Sequence, residues 1–245
     1  MKTIGIIPAR YGSQRFEGKV LADLLGKPVL QHVWERAKQS KFLEDLIIAC
    51  DDERVERVAK EFGAKVVLTS KDHSSGSDRL TEVVASRDVQ AVINIQGDEP
   101  LIHFSMIDDL ARALTLEPIC PMATLIKRID DAKEVQNPNI VKVVIDKDKF
   151  ALYFSRAPIP YNRDKVPFSE TVYYKHFGLY AYTKDFLFTF KSLPKSRLEK
   201  IEQLEQLRVL EAGYKIKTVE TQRNTIGVDT QEDLLKAIEF LRKEG

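Results

Sequence analysis

The sequence predicts an α/β protein: a mostly parallel, right-handed wound sheet with helices on both faces. Two observations carry this. Short apolar runs at 4–7, 45–50, 65–68 and 91–95 alternate with stretches whose apolar residues recur at helical spacing. The segments that follow these runs concentrate glycine, hydroxyl, cationic and acidic residues, and open α/β sheets bind ligands at the carboxyl ends of their strands.

The first run, Ile4-Gly5-Ile6-Ile7, reads as a short buried strand. After it comes Pro8-Ala9-Arg10-Tyr11-Gly12-Ser13-Gln14-Arg15-Phe16-Glu17-Gly18-Lys19. Gly12 and Gly18 let backbone N–H groups approach an anion. Arg10 and Arg15 offer bidentate forks and Lys19 a point charge, a set suited to a polyphosphate. A solvated basic loop is the alternative. A Walker A loop is excluded, because five residues separate Gly12 from Gly18 and Val20 follows Lys19. No G-x-G-x-x-G occurs, which disfavours a Rossmann dinucleotide site.

A helix follows, with Pro28 expected at its first position and Val29, Leu30, Val33 and Ala37 on one face. The second strand spans 45–50. Asp51 or Asp52 caps a helix bearing Val55, Val58, Ala59 and Phe62. A third strand at 65–68 leads into a hydroxyl-rich loop ending Ser74-Ser75-Gly76-Ser77-Asp78-Arg79. Arg79 falls early in a helix, where the macrodipole disfavours a cation. That placement hints at a ligand-facing role; an exposed arginine is the plain alternative. The fourth strand ends in Gln96-Gly97-Asp98-Glu99-Pro100. Acids at such a point suit Mg²⁺, which takes one or two carboxylates with phosphate oxygens. Glu99 is read as no more than a helix cap.

Further strands are expected at 119–126, 140–145 and 151–155, the last two antiparallel, with a connector or helix at 127–139. Prolines bar 155–160 from a central strand. The aromatic run at 172–182 puts His176, Gly178, Tyr180 and Tyr182 on one face. That face suits the floor of a sugar pocket, although His176 also reads as a hydrogen-bonded core histidine. Ser196-x-x-Glu199 is a capping box, expected to open one helix through Ile201, Leu204 and Leu207. A late strand at 214–219 precedes Asp229, and Thr230-x-x-Asp233 caps a last amphipathic helix.

Composition narrows the function. The chain has 245 residues, 38 basic and 37 acidic, for a net charge of +1. Nucleic-acid and membrane surfaces want a basic excess, so neither partner is expected. Anion binding has to be local. Two cysteines, Cys50 and Cys120, make neither a disulfide framework nor a zinc site. No apolar run approaches the ~18 residues of a membrane span. The start of the chain carries no signal-peptide pattern, so the cytoplasm is the expected location.

Taken in order, Ile-Pro-Ala-Arg-Tyr-Gly-Ser-x-Arg at 7–15, Gly18-Lys19, Ser-Gly-Ser-Asp-Arg at 75–79, Asn-Ile-Gln-Gly-Asp-Glu-Pro at 94–100, Lys175-His176-x-Gly-x-Tyr180, Leu-Glu-Gln-Leu-Arg at 204–208 and Gly227-Val-Asp-Thr230 cover nearly the whole chain. Together they closely resemble the 3-deoxy-manno-octulosonate (Kdo) cytidylyltransferases, the CMP-Kdo synthetase family. The resemblance implies that CTP and Kdo give CMP-Kdo and pyrophosphate, activating Kdo for lipopolysaccharide assembly. A sister activity on another acid sugar, such as sialic acid, is the alternative. It also implies a nucleotide-diphospho-sugar transferase fold, a single domain over 1–245, a smaller mixed α+β lobe near 120–182 for sugar binding and dimerisation, a homodimer, and Mg²⁺ on Asp98 and Asp229. By matching positions, Ala9, Arg10, Ser13, Arg15, Lys19, Ser74, Arg79, Gln96 and Asp98 contact the nucleotide. Gln96, Arg156, His176, Tyr180, Glu205 and Gln206 contact the sugar. Lys19, Arg10, Asp98 and Asp229 carry the chemistry. Two departures stand out: Glu17 replaces the family's usual proline, and Ser77 replaces threonine.

Overall fold

The computed structural model describes residues 1–13, 15–73, 76–116 and 120–244. The chain forms two compact units, residues 1–111 with 223–245, and residues 112–222.

The first unit opens with β1 (Thr3–Ala9) and a two-residue hairpin of β2 (Asp23–Leu24) and β3 (Lys27–Pro28). Then come α1 (Val29–Ala37), β4 (Asp45–Cys50), α2 (Glu53–Glu61), β5 (Lys65–Leu68), α3 (Gly76–Val84), β6 (Ala91–Asn94) and α4 (Phe104–Leu116), which runs past residue 111. The strands lie in the order β6-β1-β4-β5, all parallel. In register, Gly5 sits between Leu46 and Ile93, and Ile6 between Ile47 and Asn94. Ile6, Ile7, Ile48, Ala49, Val92 and Ile93 are 0% exposed. A strand covered on both sides reads as a continuous apolar run, which is why β1, β4 and β6 were legible; β5, at the edge, is exposed at Lys65 and Leu68.

Pro28, expected at the first helical position, lies one residue before the helix. Its backbone is extended (ψ 145°) and pairs with Asp23, so the helix starts at Val29. Asp52, not Asp51, caps α2 by accepting the Arg54 N–H at 2.9 Å.

The second unit holds β7 (Met122–Arg128), α5 (Ala132–Gln136), β8 (Lys142–Ile145), β9 (Ala151–Ser155), β10 (Tyr174–Thr183), α6 (Lys184–Ser192), α7 (Arg197–Glu202), α8 (Leu207–Glu211) and β11 (Lys217–Glu220). β7 pairs with β11 in parallel and with β10 antiparallel, while β8 pairs antiparallel with β9 and β10. Ile119, expected to open the strand at 119–126, lies outside the described residues. The single helix expected from Ser196 is broken. The capping box forms, but Gln203 turns left-handed (φ 54°) and ends α7, and α8 starts afresh at Leu207. Leu204 turns inward at 6% exposure, and the reversal lets Arg208 meet Glu199 at 2.6 and 2.8 Å.

The chain then returns to the first unit with α9 (Gln231–Glu244). Its Ala237, with Val228, joins Leu24 and Val29 in one buried cluster, and Phe16, Leu234, Ile238 and Leu241 pack against it. The end of the chain is therefore fastened beside the loop that follows β1. No helix among the described residues is long and apolar enough to cross a membrane.

Candidate active site

The site is built on three strand ends of the first unit. Where β1 stops, the chain loops out and closes on itself: the Gly18 N–H donates to the Tyr11 carbonyl at 2.9 Å. Gly18 has φ +67°, and a Cβ there would lie 3.2 Å from the Tyr11 ring, so both backbone and space call for glycine. Nothing among the described residues asks for glycine at 12, where a Cβ meets no atom within 4 Å. A short 3₁₀ turn, Lys19–Leu21, then directs Lys19 inward, and its side chain is only 13% exposed.

The second strand end is that of β6. A Cβ on Gly97 would lie 2.7 Å from the Pro8 carbonyl oxygen, so only glycine lets this turn press against β1. Asp98 follows, and its carbonyl accepts the Val228 N–H at 2.8 Å. That single backbone bond brings the next residue, Asp229, to the same place. The Lys19 ammonium joins the two acids, at 2.5 Å from Asp98 and 2.7 Å from Asp229. Arg15 reaches the other oxygen of Asp229 at 2.8 Å. Burial pulls the Lys19 ammonium down, but the two carboxylates outweigh it and leave its pKa raised. Burial pushes the Asp229 carboxyl up, and Lys19 and Arg15 outweigh that, leaving it below the usual range.

The third strand end is that of β4. Arg79, predicted to face a ligand, has a partner within the chain: it is 0% exposed, pairs with Asp51 at 2.8 Å and bonds the Thr69 hydroxyl. The Asp51 carboxylate explains a cation placed against the helix dipole. Asp51 was read only as a possible cap, and its adjacency to Asp52 gave no sign of this second task. Glu99 lies beside Asp98 and Asp229. It caps no helix; burial, with the charges of Asp98 and Asp229, pushes its carboxyl up to about 8.

These strand ends enclose a cleft of about 870 Å³, a volume typical of small-molecule sites. Arg10, Ser13, Arg15, Lys19, Arg79, Gln96, Asp98 and Asp229 all line it. Ala9 does not; it is 0% exposed in β1. Ser74 lies outside the described residues. Among the described residues no three metal-ligating side chains gather. Asp98 and Asp229 alone still fit Mg²⁺: they are hard oxygen donors, and the Lys19 cation already sits between them.

The residues assigned to the sugar, Gln96 aside, belong to the second unit. β10 is bulged between Phe177 and Tyr180, with two extra residues, so the alternation of faces survives. His176, Tyr180 and Tyr182 remain on one face, with ring centroids 5.4 and 5.9 Å apart. The Thr124 hydroxyl lies in the bulge, 3.0 Å from His176 Nε2 and 2.8 Å from the Leu179 carbonyl. Burial lowers the His176 imidazole to about 3, so it is neutral. Burial, then Tyr182 and Glu205, raises the Tyr180 hydroxyl well above its usual value. Glu205 and Gln206 occupy the break between α7 and α8. Gln206 is buried, and its Nε2 has no hydrogen-bond partner among the described residues. Arg156, expected at the sugar, is half-buried and engaged with backbone: Nε donates to the Glu202 carbonyl at 2.8 Å and Nη1 to the Pro138 carbonyl at 3.0 Å.

A parallel α/β unit whose strand ends bring cations and two acids to one cleft defines a nucleotidyltransferase-like protein. Solved structures agree on this fold. A 4-diphosphocytidyl-2C-methyl-D-erythritol synthase from Anaerococcus prevotii matches with TM-score 0.65 at 17% identity, over 98% of this chain and 99% of that one. The cytidylyltransferase family model matches residues 4–216. The 3-deoxy-manno-octulosonate cytidylyltransferase of Solibacter usitatus is 52% identical over 233 residues, 95% of this chain and 92% of that protein. That of Geotalea uraniireducens is 47% identical over 251 residues, 99% and 100% of the two chains. A CMP:2-keto-3-deoxy-manno-octonic acid synthetase, solved in complex with CTP, superposes with TM-score 0.95 at 43% identity over 100% of both chains. The chain belongs to the 3-deoxy-manno-octulosonate cytidylyltransferases, within the cytidylyltransferase family.

Proposed function

We propose that this chain transfers the CMP moiety of CTP to the anomeric hydroxyl of Kdo, releasing pyrophosphate. The observation that carries the reading is the meeting of Asp98 and Asp229 on the Lys19 ammonium, inside a cleft that Arg10 and Arg15 also line. The substrates follow from the activity of the relatives.

The sugar hydroxyl attacks the α-phosphorus and pyrophosphate departs in line, so charge builds on the leaving oxygens. Catalysis of this kind is positioning and electrostatics. Arg10, Arg15 and Lys19 hold the phosphates, with Ser13 beside them, and Gln96 orients the reactants. Asp98 and Asp229 would hold Mg²⁺, which lowers the pKa of the attacking hydroxyl and offsets phosphate charge when bound. Lys19 and Arg15 then exchange carboxylates for phosphate oxygens. Sugar recognition falls to His176, Tyr180, Glu205 and Gln206. Arg156 joins them only by releasing the carbonyls it now holds. The same reading makes the protein a cytoplasmic homodimer that activates Kdo for lipopolysaccharide synthesis.

The test is pyrophosphate release with CTP, Kdo and Mg²⁺. Turnover is expected with Kdo and not with sialic acid; the reverse preference replaces the substrate, and no release with either sugar overturns the reading. Asp98→Asn is expected to cut turnover by about 10²-fold or more with the fold intact. Near-native turnover would remove Asp98 from the metal.

A further inference from the structure

Arg54 lies in the first turn of α2 and does not line the cleft. Its guanidinium is nevertheless fixed in place. Nε and Nη2 fork onto the two oxygens of Asp52, both at 2.8 Å. The plane so held lies over the Tyr11 ring, with Cζ 3.4 Å from the ring centroid. Tyr11 in turn closes the anion loop: its carbonyl accepts the Gly18 N–H and its ring packs against Gly18. The Tyr11 N–H points to Asp51 at 3.4 Å. Glu17, on the same loop, adds its negative charge to the field around Arg54. α2 also touches the 3₁₀ turn that carries Lys19. No proline stands between Pro8 and Pro28, so contacts of this kind have to set the loop's shape.

We propose that Arg54 is a positioning residue for the anion loop: held by Asp52 and laid on Tyr11, it keeps Tyr11 closed on Gly18 so that Arg15 and Lys19 meet a triphosphate already in place. The proposal rests on the reading of the cleft as a nucleotide site. Arginine is suited to the task because a planar guanidinium can fork and stack at once, which an ammonium cannot. A loop closed in advance favours nucleotide binding and leaves the bond-breaking step alone.

The test uses Arg54→Ala, Arg54→Lys and Asp52→Asn in the full-length protein. Asparagine still caps a helix, so Asp52→Asn removes the fork without uncapping α2 and serves if Arg54→Ala fails to fold. KM for CTP is expected to rise roughly fivefold in Arg54→Ala, the loss of one cation–π contact. kcat and KM for the sugar should stay close to wild type. Arg54→Lys should recover less than half of the loss. Amide exchange at Gly18, followed without nucleotide, should accelerate by a similar factor. Unchanged Gly18 exchange overturns the brace. Faster exchange with unchanged KM for CTP, or equal changes for both substrates, overturns the positioning role. A wild-type protein that binds no CTP sinks the functional reading instead, and Gly18 exchange still reports on the brace.

Discussion

Lys19 neutralises two acids that lie far from it in sequence, and this one side chain links the anion loop to both. Its removal has two effects: the phosphates lose a cation, and Asp98 and Asp229 face each other with less compensation. Lys19→Ala is therefore expected to raise KM for CTP at least tenfold, about 1.4 kcal/mol, with a much smaller effect on Kdo; equal effects in steady-state kinetics would count against the phosphate role. His176 makes a pH prediction. Its imidazole lies at about 3 in the fold against an ordinary 6.5. Unfolded chains take up a proton that the native state refuses, so stability is held above pH 6.5 and lost as pH falls from there toward 3. Urea unfolding at pH 7 and pH 5 should show wild type losing about 1–2 kcal/mol more than His176→Gln. Equal losses would mean that His176 is solvated. The sequence pointed to Lys19 and Asp98 through residue type and position at strand ends, and to Asp229 through the family resemblance. It gave no sign of Asp51 as the partner of Arg79, or of Arg156 turned onto backbone carbonyls, because those depend on which groups burial leaves in need of a partner.

The elements were legible wherever short apolar runs or capping motifs mark them. β4, β5 and β9 have the bounds expected of them, and the capping box at Ser196 forms. Length was harder to read. The expected helix through Leu207 stops at Gln203 because packing Leu204 and pairing Arg208 with Glu199 outweigh the cost of one left-handed residue. The bulge in β10 was equally hidden: a two-residue insertion keeps the alternation that sequence patterns detect. The turn after β6 carries a prediction of its own. In Gly97→Ala the new methyl meets the Pro8 carbonyl, a backbone atom that cannot swing away. The variant should lose about 1–3 kcal/mol of stability and bind CTP more weakly, since Asp98 moves with the turn. Thermal unfolding at the wild-type Tm would show that β1 and this turn are not in hard contact.

At the scale of the whole molecule, the first unit is assembled from both ends of the chain. The cluster of Leu24, Val29, Val228 and Ala237 makes the last helix a support for the loop at the first strand. Deleting residues 231–245 removes no residue that lines the cleft, yet it uncovers Leu24 and Val29. It should lower Tm by several degrees and weaken CTP binding measured by calorimetry. Unchanged affinity would detach α9 from the site. The wound sheet, the loops that carry chemistry and the family were determined by the sequence alone, because apolar periodicity and short motifs are local properties of a chain. Tertiary structure alone decided that Val228 bonds to Asp98, that Lys19 holds two distant acids, that Arg79 turns inward and that Arg156 bonds backbone carbonyls. Those facts follow from desolvation and close packing among segments far apart in sequence, which local pattern does not encode.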